Sequence, residues 1–386
     1  MSASSYPGGS GGPNLSPAEK LRHFSWGLLL AIIATACLGF AMLYSAADGN
    51  ADPWMSRQAT RFTAGLAALI AVALVDFRFW LRYAYGLYAI AIARLVGVEV
   101  AGQVRLGAQR WIAIGPVQLQ PSEMMKIALV LALARYFHGL TYEDIGKPLR
   151  LIIPTAMVFL PAGLVLMQPD LGTAGMLILD GALIFFVAGV RLWKFAVVAL
   201  GAVSAVPVGW RFLHDYQKDR LLTFLNPESD PLGAGYHILQ SKIAIGSGGL
   251  TGKGFMHGTQ AQLNFLPEKH TDFVFTMFAE EMGFIGAASL LALYLLVLLF
   301  ITYMALRCRS TFPRLVAAGM GLCLFTYVFI NVAMVTGLVP VVGVPLPLVS
   351  YGGTSMLTMM AGLGFVLNAY VNRATRIRRE EYGPLW

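Results

Sequence analysis

Residues 151–209 form an almost unbroken apolar block, in which only Asp170, Asp180, Arg191 and Lys194 carry charge. A block of this length cannot be one core helix, and it is too apolar for the surface of a soluble domain. It must be cut into pieces of about 20 residues that cross a bilayer, each satisfying its backbone as a helix. The charges at 170 and 191–194 give the cuts, and spans are expected at 150–169, 172–190 and 192–209. The same reading predicts spans at 27–46, 60–75, 83–100, 122–138, 273–305, 313–336 and 352–371, which makes ten. Arg94 interrupts the third. The expected fold class is therefore an all-α polytopic membrane protein of about ten transmembrane helices, with a large loop, 210–271, between helices 7 and 8. With 57% hydrophobic and 12% charged residues, the chain is neither disordered nor a soluble enzyme.

Lys and Arg number 28 against 20 Asp and Glu. They do not gather in one soluble domain, which argues against nucleic acid as a partner; they punctuate the apolar runs. Ten spans put both termini on one side of the membrane. Lys20, Arg22, Arg78, Arg82, Arg135, Lys147, Arg150, Arg191, Lys194, Arg307, Arg309, Arg314 and Arg373 all fall on that side, and the positive-inside rule makes it the cytoplasm. The expected layout is a flexible cytoplasmic tail (1–19), a membrane domain (20–372) and a basic cytoplasmic tail (373–386). Residues 27–46 follow Lys20 and Arg22 like a signal peptide, but the run is longer than a usual h-region and reads as a retained helix. Three cysteines offer no disulfide framework. Chemistry should lie on the outer face, which receives 101–120, 210–271 and 337–351.

The polar residues near span ends are the candidates. Glu123 and Lys126 are three apart and share a helix face; they read either as a structural ion pair or as an anion contact by Lys126. Arg110 and Trp111 read either as an interfacial anchor or as a phosphate and sugar contact. Asp170, after Pro169, reads first as a helix cap, and Asp180 as a buried hydrogen-bonded acid. In the long loop, Gly248, Gly249, Gly252, Lys253 and Gly254 suggest a phosphate loop, but Phe255 follows Gly254 and no strand precedes, so nucleotide binding is rejected. His257 and His270 with Glu268 and Asp272 match no zinc spacing. The connection Val339–Ser355 is apolar yet rich in Pro and Gly, so it cannot be a plain helix. It is expected to line the same outer site, with Ser350 and Thr354 among its polar groups.

Four ordered motifs now stand at span ends: Gly107-Ala108-Gln109-Arg110-Trp111 with Gln120-Pro121-Ser122-Glu123, then Gln168 through Thr173, Leu266 through Phe273, and Pro345 through Ser355. With them the chain, over about residues 25–371, resembles the SEDS family (shape, elongation, division and sporulation) of bacterial peptidoglycan polymerases. His214 through Gln217, Pro227 through His237 and His257 through Gln260 resemble the rod-shape (RodA) branch more than the division (FtsW) branch. Arg94 and Asp180 depart from the family's apolar spans.

The resemblance implies a peptidoglycan glycosyltransferase of the cytoplasmic (inner) membrane that joins the sugars of lipid II into glycan strands during cell elongation. It implies a single-pass class B penicillin-binding protein as partner and Asp272 as the catalytic acid. It places Glu123 and Lys126 in a central cavity. Elementary chemistry agrees: an inverting sugar transfer needs a base for the acceptor hydroxyl and cations for the leaving pyrophosphate. Asp272 would be the base, Lys126 and Arg110 the anion contacts, with Trp111, Glu268, His270, Ser350 and Thr354 around the substrate. No cofactor is certain; Mg²⁺ could assist at the pyrophosphate, though no dedicated ligand set is visible. The rival from another class is a flippase or transporter of the lipid-linked precursor, which would carry charge through the bundle rather than at its outer end.

Overall fold

A computed structural model describes residues 16–101, 103–105, 108–114, 117–212, 218–219, 222–224, 226, 234–263, 265–266 and 268–377. The motifs at 214–217 and 227–231, Gly107, and the tails before 16 and after 377 lie outside them. Ten helices of 18 or more residues stand among the described residues: α2 (Trp26–Ala46), α3 (Trp54–Leu74), α4 (Phe77–Ala101), α5 (Pro121–Gly139), α7 (Pro148–Met167), α8 (Leu171–Ala188), α9 (Leu192–Phe212), α12 (Val274–Arg307), α13 (Thr311–Val335) and α14 (Gly353–Val371). Each corresponds to one expected span. Short helices fill the gaps: α1 (Pro17–Arg22), α6 (Tyr142–Ile145), α10 (Ala234–Ser247) and α11 (Thr259–Gln262). Seven of the long helices contain a stretch of 18 residues apolar enough to cross a membrane, and α9 has a shorter one, Leu192–Ala205. In α3 and α5 the buried polar groups described below replace part of the apolar sequence.

α5 lies at the centre, buried along most of its length, with α13 and α14 beside it; α4, α7 and α12 are more exposed. Apolar exterior faces are no liability in lipid, where helices associate through close packing rather than hydrophobic burial. α3 runs against α14 closely enough that a β-carbon at Gly364 would lie 2.7 Å from Leu69 O. Asn368 of α14 then takes the last carbonyls of α3, donating to Val72 O, Ala73 O and Val75 O at 2.7–3.1 Å. Lys20 of the N-terminal segment donates to Leu74 O. Arginines and lysines gather at this end of the bundle; the long connections lie at the other, called the loop end below.

Two features depart from the expected pattern. The connection 101–120 holds a small antiparallel sheet, β1 (Gln103–Arg105), β2 (Ala108–Ile114) and β3 (Val117–Leu119), in the order β1-β2-β3. The pairs are Arg105↔Ala108 and Ile114↔Val117. In the sequence Gly115-Pro116 stands between the second and third strands, and Gly-Pro is a turn signal. Secondly, α12 is broken: Gly283 has φ 66° and ψ −167°, a conformation open almost only to glycine. The stretch Gly248–Gly254 is inserted at the break. Lys253 N and Gly254 N donate to Glu280 O and Glu281 O at 3.1 and 3.0 Å, while Phe284 N and Ile285 N donate to Gly249 O and Leu250 O at 2.9 and 3.1 Å. Backbone groups freed by the break are thus satisfied by the loop, as membrane depth requires. These glycines serve close backbone approach, not phosphate binding.

Candidate active site

The segment before α12 is built by hydrogen bonds to its backbone. The carbonyls of three successive residues are each taken: His270 O by Tyr351 N at 2.8 Å, Thr271 O by Ser350 Oγ at 2.5 Å and Asp272 O by Asn331 Nδ2 at 2.9 Å. Ser350 Oγ also accepts from Leu346 N at 2.7 Å, and Gln58 of α3 donates from Nε2 to Ser350 O at 2.8 Å. The Pro- and Gly-rich connection therefore folds against the acid-bearing loop. Ser350 is a structural clamp between them, and Thr354 is buried one residue into α14. Asp272 is half-buried. Its carboxylate lies against Gly343 (φ 74°), where an added β-carbon would be 3.3 Å from Oδ2. Asp272 does not serve as the cap of α12: the N-cap is Phe273, and no side chain caps it.

Aromatic rings and a cation surround this loop. His270 stacks on Trp54 at 4.4 Å between ring centroids. Burial pushes the His270 imidazole below its ordinary pKa; the Glu268 charge pulls the other way and Lys269 adds to the lowering. Arg61 of α3 lies 4.4 Å over the Tyr351 ring. Glu268 is exposed, accepting from Thr271 Oγ1 at 3.0 Å, so it belongs to the rim.

A second cluster is closed inside the bundle. Lys126 and Glu123 are 3% and 6% exposed, with Nζ and Oε1 2.8 Å apart. The Tyr327 hydroxyl accepts from Lys126 and donates to Glu123. Asp180 is fully buried nearby, 3.4 Å from Cys323 Sγ. Asp170 has the capping role expected of it, accepting from Thr173 N and Thr173 Oγ1 at 3.1 and 2.9 Å.

One helix joins the two clusters. Cys323, Tyr327 and Asn331 are spaced by four along α13 and share a face. At 1.5 Å per residue the step from Tyr327 to Asn331 is about 6 Å along the axis. The polar ridge of α13 thus runs from Asp180, past Glu123 and Lys126, to the backbone of Asp272. Trp111 and the backbone of Arg110 are on β2, which packs on α4 and α5; the Arg110 side chain lies outside the described residues. His257 turns back to Phe255 O at 2.8 Å. Among the described residues no three His, Cys, Asp or Glu gather to hold a metal.

Sequence reasoning missed Trp54, Gln58, Arg61, Tyr327 and Asn331. Their signal was available: Trp54, Gln58 and Arg61 share one face of α3, which begins six residues before the expected start of the span. Asn331 is a polar side chain deep in an apolar run, a functional mark in membranes.

The FtsW/RodA/SpoVE family model, described as "Cell cycle protein", matches residues 25–375. The chain belongs to this family. A relative, the peptidoglycan glycosyltransferase MrdB of Escherichia coli (strain K12), is 45% identical over 365 residues, covering 94% of this chain and 97% of the relative. MrdB of Helicobacter pylori (strain J99) is 38% identical, covering 79% and 80%. Among solved structures, one described as "Structural coordination of polymerization and crosslinking by a peptidoglycan synthase complex" superposes with TM-score 0.79 at 34% identity, over 92% of this chain and 99% of that one. The rod shape determining protein RodA of Thermus thermophilus superposes with TM-score 0.69 at 31% identity, over 91% and 98%. As a member of the family the chain is a multi-pass helical membrane protein, in keeping with its ten long helices.

Proposed function

We propose that the chain is a peptidoglycan glycosyltransferase of the rod-shape branch, which polymerises lipid II with Asp272 as general base. The observation that carries the reading is the mounting of Asp272: a half-buried carboxylate at the loop end, on a backbone whose carbonyls are tied down on three successive residues. Such preorganisation suits a group that must meet one hydroxyl in one geometry. The base takes the acceptor hydroxyl's proton as that oxygen attacks the anomeric carbon, and the pyrophosphate leaves with the bonding electrons. Lys126 and Arg110 would steady that charge, and the Trp54–His270 stack offers a flat face to a sugar. Lys126 reaches an anion only if its pair with Glu123 opens or the anion joins it.

The Lys and Arg distribution supports a cytoplasmic-membrane orientation with both termini inside and Asp272 outside. A cysteine at Ser229 should then react with a membrane-impermeant maleimide. Likeness to a chain from a peptidoglycan synthase complex supports a class B penicillin-binding protein as partner, to be sought by co-purification. Asp180, buried at mid-span, favours the flippase reading, and polymer formation from lipid II by the purified protein separates the two. The test of Asp272 is Asp272→Asn, which keeps the shape and loses the base. Polymerisation should fall about 10²–10⁴-fold with thermal stability unchanged. Retention of more than about a tenth of the activity would rule Asp272 out as base.

A further inference from the structure

Asn331 is fully buried, one turn from the end of α13. Both hydrogens of its amide nitrogen are used: one goes to Asp272 O at 2.9 Å, the other to Val344 O at 2.6 Å. The two acceptors belong to different irregular connections. The neighbouring ties, from Ser350 and Tyr351, join those connections to each other. Asn331 fastens both to a membrane helix. That helix carries Tyr327 four residues earlier, with its hydroxyl between Glu123 and Lys126. Asn331 therefore sets where the Asp272 backbone sits relative to the Lys126 pair. Gly343, the residue before Val344, closes on the Asp272 carboxylate, so the same side chain also sets the wall against which that carboxylate rests.

We infer that Asn331 is a positioning residue of the sugar transfer, holding Asp272 and the Gly343 wall at a fixed place on α13. The inference rests on the reading of Asp272 as base. An amide is suited to the task because two carbonyls need two donors on one short stem. An aspartate there would present acceptors to acceptors, and a leucine would donate to neither carbonyl.

The experiment measures kcat and KM for lipid II, per folded molecule, in Asn331→Ala, Asn331→Ser and Asp272→Asn, beside thermal unfolding of each. A misplacement of about 1 Å can cost about 10²-fold in rate. Asn331→Ala should lower kcat by about 10- to 100-fold with KM within about twofold, because the groups that bind substrate stay in place. Asn331→Ser retains one short donor and should recover part of the loss. A purely structural role would lower the yield of folded protein and leave kcat per folded molecule unchanged; that result overturns the inference. So does failure of both Asn331 variants to fold, since the two bonds would then be a requirement of the fold. If Asp272→Asn stays active, the base reading is what has failed, and the Asn331 inference falls with it. If Asp272→Asn is inactive while Asn331→Ala turns over normally, only the Asn331 inference falls.

Discussion

Replacing Lys126 by Met should destabilise the protein more than replacing Glu123 by Gln, and the two changes together should destabilise it less than the first alone. Glu123 and Lys126 form a 2.8 Å pair with almost no exposure. Removing one partner of such a pair costs about 3–5 kcal/mol, because the other charge is left buried and uncompensated. The cluster is not symmetrical, however. Among the described residues Lys126 is the only cation in it, and its loss leaves two buried acids, Glu123 with the Tyr327 hydroxyl and Asp180 with Cys323 Sγ at 3.4 Å. Loss of the Glu123 charge leaves Lys126 with the Tyr327 hydroxyl and with the Asp180 carboxyl in the same buried cluster. Its cost should be nearer that of one hydrogen bond to a charged group, about 1.5–3 kcal/mol. Glu123→Gln with Lys126→Met removes one charge of each sign and should recover much of the stability lost by Lys126→Met. Thermal unfolding in detergent gives the order, and glycan polymer from lipid II at matched folded protein gives the function. Stability restored without activity is the outcome expected if Lys126 also meets the pyrophosphate. Full activity in the double variant would reduce Lys126 to a structural partner, and greater damage from Glu123→Gln than from Lys126→Met would refute the electrostatic reasoning.

Gly283→Ala should cost about 1–3 kcal/mol for its backbone conformation alone, and more because its β-carbon would lie 2.6 Å from Leu250 O and nearer still to Gly252 N; thermal unfolding checks this, and a wild-type profile would refute the splice. His270 is pushed by burial below its ordinary pKa, so between that lowered value and about 6.5 the unfolded chain binds more protons than the folded one. Stability should therefore rise with pH through this window and level off on either side of it, and His270→Gln should flatten the dependence measured by thermal unfolding. If Mg²⁺ assists at the pyrophosphate, polymer yield should depend on a divalent cation. EDTA should then lower polymer yield and Mn²⁺ should replace Mg²⁺, whereas a strict requirement for one ion would point to a protein site.

The membrane crossings were legible because a bilayer demands long apolar helices and leaves charges only at their ends. What the sequence could not convey was which face of each helix turns inward. In lipid both faces are apolar, so the period that marks the buried side of a soluble helix is lost. Polar residues inside the runs were the remaining signal. Glu123, Lys126 and Asp180 were noticed because they are charged; Tyr327 and Asn331, neutral and aligned four apart on α13, were not. The sheet within 103–119 has a weak signal, because its strands are of three to seven residues and only Gly115-Pro116 marks a turn. The glycines at 248–254 show the opposite difficulty: their pattern suggested a ligand, while their partners, the carbonyls of Glu280 and Glu281 and the amides of Phe284 and Ile285, belong to a helix thirty residues further on.

That exchange ties residues 249–254 into the break in α12 through four backbone hydrogen bonds. Like a segment of rail between two fixed joints, the stretch admits no change of gauge. Deleting or adding one residue there would shift Lys253 and Gly254 off the carbonyls they meet, and with them the short stub from 274 to 282 that carries Asp272 at its tip. A change of length there does not stay at the surface. It would arrive at the acid, so this part of a long extramembrane loop should be as constrained in length as the crossings themselves.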